Sequence, residues 1–206
     1  MSENSSKAPK LTPENKEKIK KFLPIAAIIV AVVIVISIFS AIFSGGGNAT
    51  NKEAIKLLKK GKASKMISTL PEGFEDNVIK YYEYNGIENR KDLKKAIKSS
   101  CDDSIKKVKT VDHYEVDFNN LSDSDLTADD KSAINYLISS SKFLCDDDIE
   151  FEDGYVTIFE ITVKESDGSK TKKNVVYCSF KYDGKWYSLN TMSFVAFSAQ
   201  GYSPKK

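Results

Sequence analysis

A single histidine and three cysteines among 206 residues close off several kinds of chemistry at the outset. With His113 alone, zinc sites built on several imidazoles are out of reach. Cys101, Cys145 and Cys178 form no C-x-x-C pair, and an odd count leaves at least one thiol unpaired, too few for a disulfide scaffold. Packing accounts for Cys101, on an apolar helix face, and for Cys178, on an inward strand face with Val176, Phe180 and Tyr182. Cys145 could bridge to either. The chain also lacks G-x-G-x-x-G, a Walker-type phosphate loop, H-E-x-x-H and G-x-S-x-G. No cofactor and no metal is therefore expected.

Three constellations mimic sites. Ser139-Ser140-Ser141-Lys142 fits S-x-x-K, with Ser122-Asp123-Ser124 and Lys170-Thr171-Lys172 echoing the companion motifs of penicillin-recognising enzymes. Their order is wrong, the glycine of K-T-G is replaced, and the domain is too small. Asp123, Asp125 and Asp129 have calcium-loop spacing, but Ala128 stands at the glycine and Ile134 at the closing glutamate, so they read as a capped helix start. His113, Glu115 and Asp117 share one face of a strand, a layout compatible in principle with acid–base work but read here as the solvated polar face of an amphipathic strand. No catalytic residue is assigned. The run Asp146, Asp147, Asp148, Glu150, Glu152 and Asp153 is the densest acidic stretch and reads as a solvated loop.

What the sequence does have is charge asymmetry and one long apolar run. Residues 1–21 hold six lysines against three acids; Lys52–Lys65 holds six lysines and one glutamate; from Met66 onward there are 19 basic and 25 acidic residues. A nucleic-acid partner is not expected of a domain with that excess. Phe22–Phe43 is 22 residues without a charge, its only polar side chains being Ser37 and Ser40. As a helix it would reach about 33 Å, enough for a hydrocarbon core of about 30 Å. A soluble helix of that length would carry a polar stripe, and none is present. Pro24 sits in its first turn, where a missing N–H costs little.

Lys16, Lys18, Lys20 and Lys21 crowd the near side, whereas Lys52 follows only after Gly45-Gly46-Gly47, so the positive-inside rule puts the N-terminus in the cytosol. A cleaved signal peptide is the rival, with small residues at Ser44–Ala49, but the apolar region is longer than such peptides use. No cysteine follows the run before Cys101, which excludes a lipid-modified cysteine at the membrane. Ala27/Ala31 and Ser37/Ala41 have the small-xxx-small spacing of helix–helix contacts, although the oligomeric state stays open.

The expected organisation is a basic cytosolic tail over 1–21, a transmembrane helix or signal anchor over 22–43, a Gly/Lys-rich stalk with a short helix over 44–65, and an extracytoplasmic α+β domain over 66–206. Thr50 to Glu53 is a capping box that opens a short helix, with Gly61 as its stop. Phe74–Tyr84 reads as a further turn or two of helix before Asn85-Gly86. Leu93, Ile97, Cys101 and Val108 predict a helix over Lys91–Val108, and Thr127–Asp130 caps another that carries Ile134, Leu137, Ile138 and Leu144. Period-two alternation gives a strand at Tyr114–Phe118, then Tyr155–Lys164, Val175–Tyr182 and Lys185–Met192, the last three joined by Asp167-Gly168 and Asp183-Gly184. The apolar end, Met192, Phe194, Val195 and Phe197, reads as a last core strand or a docking edge. Helices packed on a curved antiparallel sheet of about four strands follow.

That order of elements, ending in Tyr182-Asp183-Gly184-Lys185-Trp186-Tyr187, resembles the small membrane-anchored extracytoplasmic domains of Gram-positive bacteria with the nuclear-transport-factor-like or cystatin-like α+β fold. The likeness covers about 140 residues by order of elements, and the helix between the first two strands departs from the simplest pattern. It implies a pocket between sheet and helices, used in that superfold by enzymes and by binding modules alike. Three functions are in play: a non-catalytic binding or scaffold module of the cell envelope, contacting the lipid bilayer and an envelope protein or wall polymer; an isomerase-like or hydrolase-like enzyme with Asp117 as base; and an envelope sensor acting through a cytosolic partner.

Overall fold

The computed structural model describes residues 46–142, 144 and 151–203. The basic tail, the apolar run Phe22–Phe43, Cys145 and the acidic residues 146–150 lie outside them. The elements in order are α1 (Gly46–Lys59), α2 (Ala63–Ile67), α3 (Phe74–Tyr81), α4 (Arg90–Ser100), β1 (Ile105–Glu115), α5 (Ala128–Lys142), β2 (Asp153–Lys164), β3 (Lys170–Tyr182), β4 (Lys185–Ser188) and α6 (Leu189–Gln200). Among these residues the fold is α+β, with six helices and one four-stranded antiparallel sheet in the order β1-β2-β3-β4.

The hairpin chemistry does what its residues dictate. Asp183 and Gly184 both take positive φ, 48° and 69°, and close a two-residue turn whose flanking pair is Tyr182 and Lys185. Between β2 and β3, Gly168 turns at φ 87° while Asp167 Oδ1 accepts a bond from Ser169 N at 2.8 Å. At the start of α5 the capping box is complete: Thr127 Oγ1 accepts from Asp130 N at 3.2 Å, and the Asp130 carboxylate accepts from Thr127 N at 3.1 Å.

The segment read as the end of a stalk is part of the core. Helix α1 begins at Gly46, four residues before the presumed cap, and Thr50 bonds back to the Gly46 carbonyl at 3.3 Å. Glu53 turns instead to Lys56 and Lys65, at 2.9 and 3.1 Å. Ala54, Ile55, Leu57 and Leu58 are buried. Two polar contacts fix α1 on the sheet. Asn51 Nδ2 donates to Tyr177 O, Thr157 Oγ1 and Tyr155 O at 3.0 to 3.3 Å. Ser179 Oγ donates to Gly47 O at 2.9 Å. Gly47 must be glycine, because a Cβ there would overlap the Tyr155 side chain and stand 2.8 Å from Ser179 Oγ.

Two further expectations are corrected. Helix α4, capped by Asn89, stops at Ser100 rather than reaching Val108. Cys101 is already extended, and Asp102 Oδ1 takes Ser104 N at 2.7 Å to turn the chain into β1. Strand β1 is thus eleven residues long, not the short strand from Tyr114; Phe118 lies beyond it. Register shifts at Ile105/Lys107 and Thr110/Asp112 break its period-two pattern. The second correction is at the C-terminus. Strand β4 ends at Ser188, whose side chain caps α6 by accepting from Thr191 N at 3.4 Å. Residues 189–192, expected in the last strand, and Met192–Phe197, expected as a core strand or docking edge, belong instead to this helix, whose Asn190, Thr191 and Ser198 are buried along with its apolar residues.

Asn190 compensates for the shortness of β4. Its Oδ1 accepts from Cys178 N at 2.7 Å and its Nδ2 donates to Val176 O at 2.9 Å, so one side-chain amide satisfies β3 where a strand backbone would have. Helix α6 lies against β3 and against α3, α4 and α5. Asn85 Nδ2 fixes its far end at Gln200 O, 2.6 Å away. Strand β3 is the centre of the sheet, with Val175, Tyr177, Cys178, Ser179 and Phe180 buried.

Candidate functional site

Strand β1 has a single strand neighbour, β2, and two concave sites open beside it. Its charges separate by sequence: Lys106, Lys107 and Lys109 in the first half, Asp112 and Glu115 in the second, all exposed. The sites follow that division.

The basic site is a groove of about 530 Å³ between α1 and β1. Lys52, Lys56, Lys59 and Lys60, at i, i+4, i+7 and i+8, form its helical wall, with Val108 and Thr110 on the strand side and Ile55 and Phe159 beneath. No carboxylate lines it. Lys59 Nζ donates to Lys106 O at 3.0 Å across the groove. Glu53 sits behind this wall; burial pushes its carboxyl up, but Lys56 and Lys65 together outweigh that and leave it below the ordinary range. The sequence displayed these lysines as a charge run. Their spacing along one helix face was the available signal of a wall, while the opposing strand was hidden by the misread helix over Lys91–Val108.

The acidic site is a cleft of about 420 Å³ at the far end of β1, lined by Glu115, Asp117, Glu152 and Asp153 together with Phe118 and Phe151. Phe118 packs edge-on against Phe151, which packs edge-on against Phe180, at 5.6 and 4.7 Å between ring centres. Lys142 Nζ stands 5.2 Å from the Phe151 ring. Glu152 accepts from Gly184 N at 3.3 Å and lies 3.8 Å from Lys181. Gly154 forms the floor, where a Cβ would overlap Val116 O. Glu152 and Asp153, the last members of the acidic run, are thus brought against Glu115 at the end of β1 and Asp117 just beyond it.

The other candidate residues go elsewhere. His113 is exposed and stacks on Tyr155, 6.1 Å between centroids. Asp112, beside it, accepts from Tyr114 Oη at 2.5 Å, and that bond holds its carboxyl below the usual range. Asp117 leaves the strand, is exposed, and accepts from Asn119 N at 2.8 Å; the apolar surroundings that a carboxylate base requires are not there. Ser139 and Ser140 lie on α5 with Lys142, Ser122 in a turn that bonds Asn120, and Lys170–Lys172 on β3, so the S-x-x-K mimic forms no single site. Asp123 accepts from Asn120 at 2.6 Å, and Asp129 lies in the first turn of α5. Among the described residues no group of three or more metal-binding side chains converges. Cys101 and Cys178 are free thiols. Burial pushes the Cys101 thiol up to about 11 and raises that of Cys178 further, so neither is an activated nucleophile. No family model, no curated protein and no solved structure matches this chain.

Proposed function

We propose that the chain is a single-pass membrane protein whose α+β domain is a non-catalytic binding or scaffold module on the extracytoplasmic side of the cell envelope. The observation that carries this reading is the charge-free run Phe22–Phe43, with its lysines on the near side. No helix among the described residues is long and apolar enough to cross a membrane, and the run lies outside them. The partners in this reading are the bilayer and an envelope protein or wall polymer. The basic groove gives the second of these a physical basis, since its four lysines and apolar floor suit an anionic chain.

The likeness to the nuclear-transport-factor-like or cystatin-like fold belongs to the same proposal. Helices ahead of an antiparallel meander favour it; α6, after the last strand, was not part of the order on which the likeness was drawn. Against an enzyme of that superfold stands the exposure of Asp117.

An impermeant protease applied to intact cells carrying an N-terminally tagged copy tests the topology. The expected product is a tagged fragment the size of tail plus span. A full-length chain that survives on intact cells and is digested after lysis would overturn the proposal.

A further inference from the structure

The lysines of the basic groove are spaced by the helix that carries them. Lys52, Lys56 and Lys60 stand at successive turns of α1, about 6 Å apart along its axis, in a row about 12 Å long. Lys59 reaches across, giving one of its three protons to Lys106 O at 3.0 Å and leaving two for a ligand. Glu53, the one acidic residue between Lys52 and Lys65, is shared by Lys56 and Lys65. Lys52 and Lys60 have no ion pair among the described residues. Asn51 pins α1 to β2 and β3 through three acceptors, so the row is in place before any ligand arrives.

Spacing and floor together select the occupant. An extended chain advances about 1.2 Å per skeletal bond, since a peptide unit of three bonds spans about 3.5 Å. Anions that match lysines about 6 Å apart are therefore separated by about five or six bonds. Phosphodiesters joined through three-carbon linkers have that spacing, whereas a polyphosphate, whose phosphorus atoms share single oxygens, crowds its charges. In the floor, Ile55 and Phe159 keep only 5% and 1% exposure. That is enough to line a thin linker, but it takes in no acyl tail and offers no ring face on which a base could stack. Carboxylate chains are matched by the arginine fork, and the one arginine of the sequence, Arg90, lies on α4, 3.2 Å from Glu75. Lysines act on phosphate as point charges and need no fork.

We infer that the groove between α1 and β1 binds a phosphodiester-linked polyol chain, with successive phosphates at Lys52, Lys56 and the Lys59–Lys60 pair and the uncharged linkers against Val108 and Thr110. This names the class of wall polymer and rests on the envelope reading only for the place where such a chain is met. The protease experiment decides that reading, and binding in solution decides this one.

Calorimetric titration of the full chain, in uncharged detergent, with a synthetic glycerol phosphate oligomer long enough to span the lysine row tests it. Wild type should bind, and log Kd should rise with log salt concentration at a slope of about two to three. Lys52→Gln with Lys60→Gln should weaken binding about ten-fold or more and lower that slope by about one to two. Lys91→Gln with Lys98→Gln, the same charge change at exposed positions of α4, should leave the affinity within about two-fold. Thr110→Trp keeps every charge but fills the groove, and should weaken binding about as much as the Lys52 and Lys60 pair; a patch of charge without a groove would not respond. No binding at low salt, equal losses from the two lysine pairs, or wild-type affinity in Thr110→Trp would overturn the inference. Should Thr110→Trp fail to fold, the two lysine pairs decide. Polyglutamate or oligothymidylate of equal charge should bind about ten-fold more weakly than the oligomer, and phosphatidylglycerol added to the micelles should not displace it. Parity of either polymer with the oligomer, or displacement by the lipid, would refute the assignment.

Discussion

Strands β1 and β3 are of similar length, eleven and thirteen residues, in the same sheet, yet they differ in almost every physical respect. Strand β3 is hydrogen-bonded on both sides, by β2 and by β4 with Asn190, and its middle is buried on both faces. Strand β1 has one partner, two bulges and charges along its exposed positions. The first is built for burial and the second for contact with solvent. The residues that hold β3 are apolar or amide, while most of the exposed ones of β1 are ionised.

The contrast can be broken most severely at the centre. Phe180→Ala removes a fully buried ring in contact with Phe151 and Tyr187, and should lower unfolding free energy by about 3–5 kcal/mol in chemical denaturation. The matching truncation on β1, His113→Ala, should cost under about 0.5 kcal/mol. Gly47→Ala comes next. The added methyl collides with Tyr155 and Ser179 where α1 crosses the sheet, for a loss of about 1–3 kcal/mol and no change in the topology of the chain.

The smallest effect is on pH dependence. The Cys101 thiol is raised from 9.0 to about 11 by burial, so the fold favours its neutral form. Below pH 9 that contribution is fully present; above it the unfolded chain releases a proton that the folded chain retains, and stability falls until about pH 11. Urea midpoints measured from pH 8 to 11 should decline, and Cys101→Ser should flatten the decline. Cys178 shifts in the same direction and will leave a residual slope.

How much of this was legible depended on whether local chemistry or packing decided each element. The Asp-Gly turns and the Thr127 capping box are written in adjacent residues and form where those residues put them; α4 and the three-strand meander are there too, with their ends shifted. The class, α+β with a four-stranded antiparallel sheet, follows from them. Three elements escaped for separate reasons. The bulges of β1 shift its inward side chains out of alternation, so that Val108 fell into phase with the preceding helix. Helix α1 was legible as a short helix, but not its earlier start or its place in the core, where Asn51 satisfies sheet carbonyls 104 and 126 positions away, a contact no local window contains. Helix α6 scatters Asn190, Thr191, Ser193 and Ser198 among its apolar residues without a polar stripe, and such a stretch is ambiguous until the shortness of β4 is known. Both clefts shared this fate, since each joins segments distant in sequence.

The position of α6 in the chain has a consequence for biogenesis. Helices α3 and α4 leave the ribosome long before residues 189–200 exist, with Val78, Leu93 and Ile97 awaiting a cover that is synthesised after the other described elements. Throughout that interval the nascent domain holds open apolar surface and an incompletely paired β3, the condition in which chaperones find a chain still pliable. Closure of this core therefore waits for α6, and a stop codon just before Leu189 should release a chain that cannot close it.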